Sequence, residues 1–219
     1  MLNHHNHHAN HPHNRRRTIA GPGHMSPDEA LARLKEGHAR FLAGKSVHPH
    51  VSRERLLETA TKGQHPFASF ISCSDSRVPV EIIFDQGIGD LFVVRVAGNI
   101  IDMDEIGSTE YSEEHLGISL LVVMGHSQCG AVSAVVQHAE VGGAVAKLVQ
   151  HITPALERAS SLGLTGDALL AKTIEENVRH SIAILLEASP ETAEMVHEGK
   201  VKIIGAIYHI EDGHITWLE

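Results

Sequence analysis

The sequence predicts an α/β fold: a mostly parallel central β-sheet flanked by helices, with a C-terminal hairpin. Three observations lead there. Apolar runs at residues 67–72, 91–97 and 119–124 have the length and composition of buried strands. Stretches of helical periodicity separate and follow them, and that alternation generates parallel strands covered on both faces. The chain has 219 residues, 42% of them hydrophobic, which suits one compact domain with a real core.

The elements can be justified in order. His4, His5, His7, His8, His11, His13 and His24 crowd the first 24 residues, beside Arg15-Arg16-Arg17 and the breaker Gly21-Pro22-Gly23. A low-complexity stretch of this kind builds no core, so residues 1–25 are expected to form a disordered His/Asn-rich arm. The arm reads as a purification tag with a cloning scar, as a native tract that captures divalent metal, or as an inert tail. No apolar stretch follows the arginines, so no secretory signal is expected. The body, residues 26–219, is expected to be a single cytoplasmic domain.

Its first helix has Ser26 as N-cap and Pro27 at the first helical position. Ala30, Leu31, Leu34, His38, Phe41 and Leu42 recur at helical spacing, and Gly44 ends the run. A second helix is expected over 53–62, then the strand at 67–72 behind Pro66. The strand at 91–97 leads to a helix over 108–115, and the strand at 119–124 to a helix over 132–139. Longer helices are expected over 144–160 and 167–189, with Pro154 as a bend or break. Strands over 201–208 and 214–218 close the chain around Glu211-Asp212-Gly213, an Asp-Gly turn signal.

Composition narrows the function. Lys plus Arg number 18 against 27 Asp plus Glu, a net charge of −9, which argues against a nucleic-acid partner. The longest apolar runs are far too short to span a membrane. Cys73 and Cys129 are the only cysteines, too few for a disulfide scaffold.

Both cysteines fall just beyond strand carboxyl ends, where such sheets bind ligands. Cys73 follows the strand at 67–72. His126-Ser127-Gln128-Cys129 follows the strand at 119–124 and lets an imidazole and a thiolate from one turn meet one ion. A distant thiolate from Cys73 completes three protein ligands, the pattern of catalytic zinc with an open fourth place. The competing reading is two buried, inert thiols. Beside Cys73, Asp75 and Arg77 lie two residues apart and can pair, either as a support for the metal or as a plain loop salt bridge.

Cys73-Ser74-Asp75-Ser76-Arg77, with His126-x-x-Cys129 some fifty residues later, resembles the β-class carbonic anhydrases. The likeness runs from Ser26 to the terminal hairpin. It includes Gln64, Phe92-Val93-Val94-Arg95 with Ala97-Gly98-Asn99, and Gly125-His126-Ser127-Gln128-Cys129-Gly130. The resemblance implies a zinc-dependent catalytic domain with one Zn2+ per chain on Cys73, His126 and Cys129. It implies reversible hydration of carbon dioxide to bicarbonate and a proton. As in the three-histidine carbonic anhydrases of an unrelated fold, zinc would make water acidic. Two thiolates cancel the ion's charge, so activity is expected to rise toward alkaline pH.

By resemblance, Asp75 accepts the proton of the attacking hydroxide, and Arg77 holds Asp75 ionised and in place. Gln64 resembles an amide donor to a substrate oxygen, and Gly130 offers a backbone N–H to the developing bicarbonate. Phe92 resembles an apolar pocket wall near a partner's active site. The resemblance also implies a homodimer that can pair into tetramers. Some members have a regulated form in which the aspartate swings onto zinc, with a tryptophan ahead of the Cys-x-Asp-x-Arg motif. The only tryptophan here is Trp217, at the far end, so an open site is expected. His65, beside Gln64, is a candidate proton carrier. Action on COS or CS2 and a non-catalytic zinc protein are the rival readings.

Overall fold

The structure is a computed structural model that describes residues 24–218. Residues 1–23 of the expected arm lie outside the described residues. Met25, its last residue, is attached to the body: it packs against the core, and its carbonyl accepts a bond from Ser119 Oγ at 2.8 Å.

The element order is α1 (Pro27–Leu42), α2 (Arg53–Lys62), β1 (Ala68–Ser72), α3 (Val80–Ile83) and β2 (Leu91–Arg95). A turn of 3-10 helix (Ala97–Asn99) leads to α4 (Met103–Glu114), β3 (Leu120–His126) and α5 (Gly130–Val136). Then come α6 (Gly143–Gln150), α7 (Thr153–Ser160), α8 (Gly166–Ala188), α9 (Pro190–His197), β4 (Lys202–Tyr208) and β5 (Ile215–Leu218). The sheet order is β2-β1-β3-β4-β5. The first four strands run parallel and β5 returns antiparallel to β4, as the strand–helix alternation and the Asp-Gly turn imply. Gly213 takes φ +81°, and Asp212 Oδ1 accepts the His214 N–H at 2.9 Å, which closes that turn. Among the described residues no helix is long and apolar enough to cross a membrane.

The structure departs from the sequence expectation at identifiable places. α4 begins at Met103, not 108, because Asp102 caps it by accepting the Met103 N–H at 2.9 Å. Its polar first turn, with Asp104 and Glu105, suits the positive end of a helix but hides the apolar period. The helix expected over 144–160 is two helices, broken at His151-Ile152, with Pro154 in the first turn of α7 where its missing N–H costs nothing. α3 and α9 were not expected. Ser189 starts α9 by accepting the Thr192 N–H at 3.2 Å. β3 runs two residues further than 124, so His126 is itself a strand residue.

The sheet is a two-sided core. Phe70, Leu120, Val122 and Met124 face α1 and α3, packing with Leu34 and Phe84. Ile71, Leu121 and Val123 alternate with them and meet Val178 and Leu185 of α8 on the opposite face. α8 sits hard on the sheet because glycines leave room: a Cβ on Gly125 would stand 2.8 Å from Val178 Cγ2, and one on Gly205 3.0 Å from Val178 Cγ1. From this position α8 fixes the 97–99 turn. Asn177 Nδ2 donates to Gly98 O at 2.8 Å and Ser181 Oγ to Asn99 O at 2.9 Å.

One buried acid gives the fold a pH dependence. Glu113 on α4 is 1% exposed; its Oε2 accepts from Thr192 Oγ1 at 2.6 Å, and its Oε1 has no hydrogen-bond partner among the described residues. Burial pushes its carboxyl up from 4.5 to about 7; the Thr192 bond opposes this and Glu110 and Glu114 add to it. The folded chain therefore keeps a proton that the unfolded chain sheds above about pH 4.5. Stability is unaffected below that value and falls as pH rises toward 7. Glu113→Gln removes the penalty: denaturant titration should show a gain of about 3 kcal/mol at pH 8 and little change at pH 4. An equal shift at both pH values would contradict this assignment.

Candidate metal centre

β1 and β3 are neighbours, and their register sets Ser72 opposite Met124. Cys73 therefore leaves the sheet beside Gly125, next to His126 at the end of β3. The turn Ser127-Gln128 then brings back Cys129, the N-cap of α5. Gln128 takes φ +57°, and that left-handed residue gives the two-residue spacer its tight reversal. One donor atom from each of Cys73, His126 and Cys129 lies within 4.8 Å of the others, all three residues buried.

The local bonding prepares each donor for a cation. His126 Nδ1 pairs with Ser127 O at 2.7 Å, so Nδ1 carries the ring proton and Nε2 presents its lone pair. Nε2 is buried with no hydrogen-bond partner among the described residues. Cys73 Sγ accepts the N–H groups of Asp75 at 3.4 Å and Gly98 at 3.3 Å. Cys129 Sγ stands at the N-cap of α5. The Cys73 thiol is held well below its ordinary value, first by the hydrogen bond from Cys129 and then, against burial, by the two N–H groups. The Cys129 thiol is pushed up, because it gives that bond and is itself buried. The two sulfurs thus face each other across a position that a divalent cation can take. Two thiolates and a neutral imidazole form a tetrahedral zinc donor set with one place open. The residues fit zinc.

Asp75 stands at the rim. Arg77 Nε and its backbone N–H donate to Asp75 Oδ1 at 3.0 and 2.9 Å, and Arg77 Nη2 donates to Oδ2 at 2.8 Å. This fork holds the carboxyl well below the usual carboxylate range. Oδ2 lies 3.7 Å from His126 Nε2, so the carboxylate faces the ligand cluster while still gripped by the arginine. Arg77 Nη2 also donates to Gln128 O at 3.2 Å, joining the two ligand segments.

The remaining expected residues are placed differently. Gly130 is the first residue of α5, directly after a ligand, with open space around it. Gln64 is exposed in the connection from α2 to β1 and makes no hydrogen bond among the described residues. His65, also exposed, pairs with Lys62 O at 3.3 Å. Phe92 lies on edge strand β2 opposite Ser69, toward the other end of the sheet from the ligands, with its ring 5.9 Å from that of Tyr111. Sequence reasoning gave no role to Arg95 or Gly98. Arg95 clamps the loop carrying Cys73 and Asp75, donating to Cys73 O at 3.0 Å and Asp75 O at 2.7 Å. The left-handed Gly98, with φ +67°, aims its N–H at the Cys73 sulfur. The Ala97-Gly98-Asn99 string was the available signal for it.

Comparison with known proteins agrees with this geometry. A family model described as carbonic anhydrase matches residues 68–215. A carbonic anhydrase of Mycolicibacterium smegmatis is 38% identical over 194 residues, spanning 87% of this chain and 92% of that protein. Carbonic anhydrase 2 of Mycobacterium tuberculosis is 38% identical over 192 residues, spanning 86% and 91%. The chain belongs to the β-class carbonic anhydrase family. Among solved structures, the β-carbonic anhydrase CcaA superposes with a TM-score of 0.70 at 33% identity, covering 86% of this chain and 95% of that one. A tetrameric β-carbonic anhydrase of Sordaria macrospora gives 0.70 at 25% identity, with the same coverage. In this β-class carbonic anhydrase, the Cys73–His126–Cys129 cluster fits the family's zinc site. Metal analysis should find one zinc per chain in the centre, lost in Cys73→Ser together with a lower melting temperature. A Cys73→Ser protein that keeps its zinc at full occupancy would contradict the assignment.

Proposed function

We propose that this carbonic anhydrase hydrates carbon dioxide reversibly through a carboxylate held beside the metal donors by Arg77. One observation carries the reading: an ionised Asp75, gripped by two arginine bonds, faces the Cys73–His126–Cys129 cluster at 3.7 Å. Zinc held there supplies acidity to water, making hydroxide available near neutral pH.

The rest is the work of the chain's own groups. An ionised carboxylate only accepts hydrogen bonds. Asp75 Oδ2 therefore accepts a hydrogen bond from the attacking hydroxide and so turns an oxygen lone pair toward carbon dioxide, which is catalysis by orientation. Arg77 keeps Asp75 ionised and stops it from swinging toward the metal. The Gly130 N–H, at the start of α5, is placed to donate to the oxygen that gains charge as bicarbonate forms. Gln64 donates its amide to a substrate oxygen, and Phe92 walls an apolar pocket, roles that call for a second chain.

Several surface features support a homodimer. α2 buries none of its residues and shows Leu56 and Leu57 to solvent. Phe92, Met103 and Tyr111 line an open depression beside edge strand β2. Pairing of dimers into tetramers is the further expectation. Two cysteines without a disulfide support a cytoplasmic location.

Asp75→Asn and Arg77→Ala separate positioning from metal binding. Stopped-flow hydration should fall about 100-fold in each, with one zinc per chain retained. Wild-type rates in Asp75→Asn would overturn the orienting role.

A further inference from the structure

We infer that Glu211, in the β4–β5 hairpin, is a positioning residue for the metal centre, locking the Ser127-Gln128 turn between two ligands. The bonding is specific. Ser127 Oγ donates to Glu211 Oε2 at 2.7 Å, and Gln128 Nε2 donates to Glu211 Oε1 at 3.4 Å. Both carboxylate oxygens therefore serve the two residues that separate His126 from Cys129. Ser127 Oγ also accepts the Ile210 N–H at 2.9 Å, and the Ser127 N–H donates to Tyr208 O at 2.9 Å. The hairpin thus fastens the turn through side chain and backbone together.

The turn needs fastening. Gln128 is a non-glycine residue in the left-handed region, a conformation that persists only where its surroundings impose it. If it relaxes, Cys129 moves relative to His126, and the Gln128 carbonyl leaves Arg77 Nη2, now 3.2 Å away. Glu211 therefore acts on the ligand spacing and, through Gln128 O and Arg77, on Asp75. The Ser127 hydroxyl keeps its carboxyl below the ordinary value, which suits an ionised double acceptor. Asp212, the next residue, is the natural control. Its carboxylate tightens the same hairpin by accepting the His214 N–H at 2.9 Å and makes no bond to the ligand turn.

The inference rests on the metal-centre reading, and the test separates the two. Wild type, Glu211→Ala, Glu211→Gln and Asp212→Ala are loaded with zinc. Zinc release to a coloured chelator is followed beside stopped-flow hydration, with thermal melts as the check on folding. Glu211→Ala should release zinc about 10-fold faster and lower kcat more than it changes KM. Glu211→Gln should recover most of both, because its amide oxygen still accepts from Ser127. Asp212→Ala should release zinc at the wild-type rate. Glu211→Ala within twofold of wild type in both readouts would overturn the inference. Glu211→Gln as fast as Glu211→Ala would assign the effect to charge and overturn it too, as would Asp212→Ala releasing zinc as fast as Glu211→Ala. A wild-type chain that takes up no zinc would instead overturn the metal-centre reading.

Discussion

Ser72 of β1 stands opposite Met124 of β3, and this register fixes where the three metal donors meet. A strand register moves in whole residues, and a slip by one reverses every side chain. Here it is pinned by burial on both faces, since every position of β1 and β3 is buried. The hydrophobic core therefore does more than stabilise the domain. It holds the Cys73 segment against the His126 segment, so that two sulfurs and an imidazole nitrogen stay together before any ion arrives.

What surrounds the donors then decides their chemistry. Backbone N–H groups from Asp75 and Gly98 point at the Cys73 sulfur. Charge on sulfur is thus favoured in a site from which water is largely excluded. The Gly98 turn is itself held by Asn177 of α8, which can approach only because Gly125 and Gly205 carry no side chain. Core packing, helix placement and thiolate stabilisation form one mechanical chain. Asp75 is kept at the end of it by Arg77, close to the donors but bonded to the guanidinium.

Much of this was legible in the sequence, for physical reasons. Buried parallel strands leave continuous apolar runs, so β1, β2 and β3 could be read directly. The ligand motifs lie at the carboxyl ends of two of those strands, where short spacing determines geometry. Asp75 and Arg77, two residues apart, had little freedom but to meet or to splay. Other features left no local trace. α4 opens on a polar turn, α3 is a single turn, and α9 starts with a serine cap after what reads as the end of α8. The Ser127–Glu211 bond joins residues 84 apart, and the Arg95 bonds reach back 20 and 22 residues, distances at which pattern carries no information. Gln64 and Phe92 show the same limit differently. Gln64 is exposed on the chain surface and Phe92 sits on edge strand β2 opposite Ser69, and no local pattern says what either meets.

The proposed chemistry requires an aspartate that remains with its arginine while three protein donors hold the metal. A crystal structure of the zinc-loaded protein at mildly acid pH measures this directly. It should show Cys73, His126 and Cys129 on the ion and both Asp75 oxygens still accepting from Arg77. An Asp75 oxygen on the ion, with the Arg77 bonds broken, would contradict it.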